Sequence, residues 1–465
     1  MTRRNILTLA PAGLLSPVLA QQQPPADSSP ARMKPRTSKS IASSPISIGF
    51  ETLDRQMFDP ERTYAHLAKL GVKWARCQTG WARTETVKGK YDFEWLDRVV
   101  DSLLAAGVQP WFNLGYGNTL YTPGPTHPSA VGWIPLNSDD ARAAWLRYTD
   151  AIATKFATRV KHWELWNEPN ISNFWQPDKP DPTKYVEFVK MTAPVIRKRV
   201  PGVTLIGGVF AGIPLDYIDG AMAAGLGDHV DRISYHPYRA VPEEGYDADI
   251  RALKGIVNRY KPGMKLWQGE NGAPSTNNST GALREFEWDE ARQAKWLLRR
   301  LITDLSYDIE VTSYFQTVDM QNYVWTTGNS GMTNSKGVLR GGDYTPKASY
   351  YALQNLCSVI DSDCVRTDLL VRVSNVGPNA DPVAIRTASF VKKGVPLYFW
   401  WYPANLQKGF ESRLANVNVW SGNGAKMTKP VLCDLLTGDV WPAPARDKMP
   451  LRDYPMLLTD ASLIT

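Results

Sequence analysis

Two glutamates stand in settings that could support paired carboxyl chemistry. Glu168 lies in Trp163-Glu164-Leu165-Trp166-Asn167-Glu168-Pro169-Asn170, and Glu270 lies in Leu266-Trp267-Gln268-Gly269-Glu270-Asn271-Gly272. Each follows a short apolar, strand-like run. Glycosidic bond cleavage needs such a pair. One carboxyl must be protonated to assist the leaving oxygen, and the other must be ionised to attack the anomeric carbon or to activate water. Their surroundings must push the two pKa values apart. Alternation along a strand puts Glu164, Trp166 and Glu168 on one side, with Glu168 at the top. At about 3.3 Å per residue Glu164 falls ~13 Å lower, so it is expected to be a structural carboxylate held by a basic partner.

The surrounding pattern indicates what positions these residues. From Ile46 to about Ser313, short apolar runs alternate with amphipathic stretches. The runs are Ile46–Phe50, Val72–Cys77, Val108–Leu114, Val160–Trp166, Val203–Val209, Arg232–Tyr235, Lys265–Gly269 and Val311–Phe315. Helix-like segments such as Thr63–Leu70, Glu94–Ala106, Ala141–Phe156, Pro182–Arg199, Ala248–Tyr260 and Glu287–Asp304 lie between them. Eight strands alternating with helices predict an α/β fold, a (β/α)8 TIM barrel. A doubly wound sheet would carry a Gly-rich phosphate turn after its first strand, and Ile48-Gly49-Phe50-Glu51-Thr52 is not one. In a barrel, catalytic side chains sit at the C-terminal ends of strands, where Glu168 and Glu270 fall. After Cys357 the texture becomes short strands and turns, which predicts an all-β sandwich.

The expected organisation is a signal peptide over 1–20, a flexible linker over 21–44, a catalytic barrel over 45–357 and a β-sandwich domain over 358–465. Residues 1–20 place Arg3 and Arg4 before a weakly apolar stretch ending at Ala20, a secretory pattern that also resembles a twin-arginine export signal. The expected location is therefore the bacterial periplasm or the extracellular space. A net charge of +7 is spread without basic blocks, which argues against nucleic acid as a partner. No apolar run reaches the ~18 residues of a spanning helix. Among four cysteines, Cys357 and Cys364 are spaced to close a short disulfide loop, and Cys77 reads as a buried thiol. No Cys/His spacing suggests zinc.

Together the motifs resemble the retaining (β/α)8 glycoside hydrolases of clan A. The resemblance matches Glu168 to the clan's acid/base, Glu270 to its nucleophile and Asn167 to the asparagine that bonds the sugar 2-hydroxyl. It matches His236-Pro237-Tyr238 to the His-x-Tyr that positions the nucleophile, and Arg76 to an arginine beside it. Tyr344-Thr-Pro-Lys-Ala-Ser-Tyr350-Tyr351, the passage into a β domain and its Asp434-Leu-Leu-Thr-Gly438 turn are most similar to glycoside hydrolase family 39, the β-xylosidase and α-L-iduronidase type. Family members often follow the nucleophile with an aromatic, where this chain has Asn271. The resemblance implies an exo-acting β-glycosidase working through a covalent glycosyl-enzyme. Its substrate would be an oligosaccharide or polysaccharide, and it would need no metal or organic cofactor. The same pair would serve a transglycosidase or an endo-acting glycanase, and a barrel without turnover would remain a sugar-binding protein.

The 17 tryptophans divide by position. Trp81, Trp175 and Trp325 fall in loops expected at the barrel mouth and, with Trp166, are candidates for stacking on sugar rings. Tyr116 and Gln316, near the ends of the third and eighth strands, complete the expected substrate contacts. Trp74, Trp95, Trp145 and Trp296 read as core, and Trp400, Trp401, Trp420 and Trp441 as packing of the β domain. The long loops Tyr116–Trp133 and Thr317–Gly342 are expected to close the mouth into a pocket, which favours exo action.

Overall fold

Eight parallel strands close into a barrel in strict sequence order: β2 (Ile46–Gly49), β3 (Trp74–Gln78), β4 (Gln109–Leu114), β5 (His162–Leu165), β6 (Thr204–Ala211), β7 (Arg232–His236), β8 (Lys265–Gln268) and β9 (Val311–Tyr314), which pairs back onto β2. The computed structural model describes residues 29–323, 331–376, 381, 384–421 and 424–464. The segment read as a signal peptide and Trp325 lie outside these residues.

The helices form the outer layer: α1 (Tyr64–Leu70), α2 (Trp81–Thr84), α3 (Glu94–Ala106), α4 (Asp139–Phe156), α5 (Pro182–Arg199), α6 (Leu215–Ala223), α7 (Tyr246–Tyr260), α8 (Glu290–Ser306) and α9 (Ala348–Val359). Their limits follow local chemistry. The Ser138 hydroxyl caps α4 by accepting from the Ala141 amide, and Asp181 caps α5, which opens on Pro182. Helix α3 stops at Gly107, whose φ of 85° suits glycine best. At the floor of the barrel, Trp111 and Trp267 meet edge to face at 5.1 Å, with Ile206 and Val311 beside them. This plug absorbs two indoles and seals the end opposite the predicted mouth.

The remaining strands are antiparallel: β1 (Ala31–Arg32), β10 (Cys364–Thr367), β11 (Val371–Ser374), β12 (Arg386–Lys392), β13 (Val395–Trp401), β14 (Arg413–Val419), β15 (Pro430–Asp434), β16 (Asp439–Pro442), β17 (Met449–Leu451) and β18 (Met456–Asp460). They form a seven-stranded sheet, β1-β16-β15-β18-β13-β12-β10, and a three-stranded sheet, β11-β14-β17.

Two expectations need correction. From residue 29 onward the predicted linker is structured. Ala31–Arg32 adds a strand to the edge of the C-terminal sheet, Met33 and Ile41 are buried, and Ser38 donates to the Leu67 carbonyl at 2.7 Å. The polar composition concealed this, because a two-residue strand takes its stability from edge pairing and not from apolar periodicity. Cys357 and Cys364 are both free thiols, and Cys364 Sγ donates instead to the Val359 carbonyl.

The β domain and barrel share one apolar core, and a buried ion pair of the barrel is bonded to the β domain from both of its partners. Arg299 of α8 donates to both oxygens of Glu243, at 2.9 and 2.5 Å, and to the Ala404 carbonyl at 2.7 Å. Trp401 of β13 donates its indole N–H to the same Glu243 at 2.7 Å. Removing one partner strands the other charge in the interior. Arg299→Ala is therefore expected to lower unfolding free energy by about 3–5 kcal/mol, read as a reduced urea midpoint.

Candidate active site

Three strand ends converge on one guanidinium. Arg76, from the middle of β3, is fully buried. Its Nε donates to Glu164 Oε2 at 2.7 Å, and its Nη2 donates to Asn167 Oδ1 at 2.9 Å. Its Nη1 donates to Glu270 Oε2 at 2.7 Å and to Glu51 Oε1 at 3.1 Å. Glu164 also accepts from Asn113 Nδ2 at 2.9 Å. Glu164 is thus the structural carboxylate inside the barrel, with Arg76 as its basic partner. The facing carboxylates, led by Glu164, hold Arg76 well above its ordinary range despite burial.

Glu270 stands two residues beyond the end of β8. Its other oxygen, Oε1, accepts from the Tyr238 hydroxyl at 2.8 Å. Gly269 makes this approach possible, because a Cβ there would stand 2.3 Å from Ser234 Oγ. Asn271, where relatives often carry an aromatic, is buried and donates to the Pro237 carbonyl at 3.0 Å. It ties the loop carrying Glu270 to the one carrying Tyr238.

Glu168 sits opposite. It is in contact with His236, whose Nδ1 lies 2.9 Å from Glu168 Oε1 and 3.8 Å from Glu270 Oε2. The sequence resemblance assigned His236 to the nucleophile, but the shorter contact is with Glu168, and Tyr238 alone of the two donates to Glu270. Burial pushes the Glu168 carboxyl up to about 7, partly opposed by Arg76. Burial lowers His236 to about 4. Oxygens of Glu168 and Glu270 and a nitrogen of His236 fall within 4.8 Å of one another. Such a trio has the donor types a cation accepts, but Arg76 already supplies the positive charge beside Glu270.

A pocket of about 700 Å³ opens above these groups. Besides Glu168, Glu270, His236 and Tyr238, its walls include Phe174, Leu283, Phe315, Tyr323 and Lys336. The loop after β9 contributes Tyr323 and Lys336, as its length suggested. The adjoining wall comes from 281–285 after β8, and none of Tyr116–Trp133 lines the pocket.

The aromatic expectations fare differently. Trp81 is buried between Tyr121 and Tyr148, with its indole N–H on Glu85 at 2.6 Å. Trp166 is buried against Trp145 and Phe188, donating to the Phe174 carbonyl at 2.6 Å. Trp175 is also buried, edge-on to Tyr185. None of the three lines the pocket. The physical reason for Trp166 is that β5 ends at Leu165. Trp166 and Glu168 then have positive φ, 73° and 46°, so strand alternation no longer applies and the indole turns outward. Tyr116 is buried, accepting from Gln78 at 3.0 Å, and Gln316 is buried with its amide on the Val318 carbonyl at 2.9 Å. Both serve the walls and do not face the pocket. Among the β-domain tryptophans, Trp400 and Trp401 are buried, and Trp420 is exposed.

Sequence reasoning missed Glu51 and Lys336. Glu51 follows the first barrel strand, so the strand-top rule could have found it. Lys336 lies within a long loop and carried no local signal. It is almost fully buried, donates to the Thr280 carbonyl at 2.9 Å, and is lowered by burial to about 7.

Residues 57–247 match the sequence profile described as Glycosyl hydrolases family 39. Over that segment, less than half of its length, the chain is similar to glycoside hydrolase family 39. A β-xylosidase of Geobacillus stearothermophilus is 27% identical over 288 residues, which is 59% of this chain and 51% of that protein. Beta-glucosidase 1B of Phanerodontia chrysosporium is 30% identical over 109 residues, 22% of this chain and 19% of that protein. The family 39-like chain therefore spans about half the length, or less, of these curated relatives. A family 39 glycoside hydrolase from Bacteroides cellulosilyticus WH2 shares the fold, with a TM-score of 0.66 at 22% identity, covering 90% of this chain and 80% of that one.

The burial of His236 gives an electrostatic prediction for this family 39-like site. Its imidazole is expected to stay neutral from pH 8 down to about 4. Nitrogen NMR of labelled histidine checks this, and an imidazolium signal growing in near the ordinary histidine pKa would contradict the assignment.

Proposed function

We propose that this protein is a retaining glycoside hydrolase, an exo-acting, β-xylosidase-like β-glycosidase. The observation that carries the reading is the Glu168–Glu270 pair. Their nearest oxygens lie within 4.8 Å, on the short side of the spacing of about 5–5.5 Å that suits double displacement, and their environments differ. Glu270 faces Arg76 and Tyr238, and Glu168 faces a neutral imidazole.

In the first step a Glu270 oxygen attacks the anomeric carbon as the bond to the leaving oxygen breaks, and Glu168 gives that oxygen its proton. In the second, water attacks the anomeric carbon, Glu168 takes the water's proton, and the bond to Glu270 breaks. Asn167, fixed by Arg76, is placed beside Glu168 to meet the sugar 2-hydroxyl. Tyr238 holds Glu270 in line. The walls that the loop after β9 and residues 281–285 raise beside Glu168 and Glu270 support exo action. The named relatives, a β-xylosidase and a β-glucosidase, support a β-linked neutral sugar at the reacting position. Export through residues 1–20 is part of this reading.

A set of nitrophenyl glycosides identifies the sugar, and NMR of the first-formed anomer reads the stereochemistry. Retention is expected, and inversion would overturn double displacement. Because Glu168 must be protonated to act as the acid, kcat/KM for an unactivated glycoside should fall above about pH 7. Glu168→Ala should cost such substrates about 10²–10⁴-fold. With an activated aryl glycoside, added azide should restore turnover and yield a glycosyl azide.

A further inference from the structure

Glu51 takes part in neither step of the reaction proposed above, yet it is buried against the nucleophile's own partner. It is 1% exposed. The Arg76 Nη1 that reaches Glu270 Oε2 at 2.7 Å also reaches Glu51 Oε1 at 3.1 Å. The Glu51 side chain folds back over its own strand, and a Cβ on Gly49 would stand 2.2 Å from Oε2. Gly49 is therefore the residue that admits this carboxyl. Oε2 meets no hydrogen-bond partner among the described residues.

Charge then decides the protonation state. Arg76 brings one positive charge and faces Glu51, Glu164 and Glu270. With all three carboxyls ionised, two negative charges would be left uncompensated in a buried space, a cost that protonation removes. Glu164 accepts from Arg76 and from Asn113, and Glu270 accepts from Arg76 and from Tyr238. Glu51 has one side-chain partner, at a longer distance, so it is the carboxyl that takes the proton most cheaply. The other titratable groups near it are Cys77 and Tyr238, and burial holds both well above their ordinary values, so neither adds positive charge.

We propose that Glu51 is a positioning residue that carries a proton at neutral pH and, being neutral, leaves Arg76 Nη1 committed to Glu270. This rests on the reading of Glu270 as nucleophile. Burial pushes Glu51 up to about 8, with Arg76 opposing and the charge of Glu270 adding to the rise. When Glu51 loses its proton, a second anion competes for the same nitrogen, and Glu270 loses the contact that aims it. Formation of the glycosyl-enzyme then slows.

The test must be free of Glu168, which titrates nearby. In a Glu168→Gln background, a dinitrophenyl glycoside needs no proton on its leaving group, so kcat/KM reports attack by Glu270. That value is expected to fall about tenfold per pH unit above about pH 8, and the fall should vanish when Glu51→Gln is added. The same fall persisting in the double variant would overturn the proposal. Infrared spectroscopy reads the proton without turnover, which separates this inference from the activity. The Glu168→Gln protein should show a carboxylic-acid C=O band that disappears through about pH 8 and is absent after Glu51→Gln. Should the Glu51 variant fail to fold, Glu270→Gln serves instead. It removes the neighbouring charge and should move the loss of that band to lower pH. A band that does not respond to either substitution would show that the proton is elsewhere.

Discussion

The guanidinium of Arg76 lies inside a ring of buried carboxyls, and the site's geometry depends on it. Isolated ions in a protein interior cost several kcal/mol each unless opposing charge and hydrogen bonds compensate them. Here the donors of Arg76 are divided among Glu51, Glu164, Asn167 and Glu270, which arrive from the ends of β2, β5 and β8. These strands are not neighbours around the barrel, so the arginine bridges its interior. The planar fork of fixed donors specifies each acceptor's place, which a lysine in the same position would not do.

The difference between the two candidate catalytic carboxyls follows from that arrangement. Glu270 is within reach of the guanidinium, and Glu168 is not bonded to it. The partner of Glu168 is His236, whose own burial keeps the ring uncharged. A carboxyl beside a neutral ring, removed from water, holds its proton to higher pH. One barrel thus holds two carboxyls whose nearest oxygens lie within 4.8 Å of each other and which answer to different partners. The positioning by Tyr238 and Asn271 adds direction without adding charge.

Much of the fold was legible because barrel strands are apolar runs whose helices carry a regular period and definite caps. The segments Glu94–Ala106 and Pro182–Arg199 are helices with those same limits in the structure. The strand-top rule placed Glu168 and Glu270 at one end of the barrel, where they lie together. It failed at Trp166, because β5 ends one residue earlier than the apolar run does, and one turn of backbone reverses a side chain. It also overvalued loop tryptophans. Trp81 and Trp175 follow barrel strands, but an indole in a loop can fold back beneath it, and both do. Lys336 was invisible for another reason. Its partner Thr280 lies far along the chain, and local pattern carries no record of such pairing, whereas Glu51 stands where the strand-top rule applies.

The C-terminal domain bears on the site through the same kind of constraint. Glu243 lies five residues beyond Tyr238, on the loop that follows β7. Arg299 of α8 and Trp401 of β13 both bond to it, so the loop is held from the helix layer and from the β sheet together. A loop fixed at Glu243 and tied at Pro237 by Asn271 has little freedom between those points, and Tyr238 lies there with its hydroxyl on Glu270. Arg299 and Trp401 therefore bear on the mouth of the barrel at a distance. They hold the frame on which a 2.8 Å hydrogen bond to Glu270 is aimed, and an arginine inside the barrel holds that glutamate from the other side.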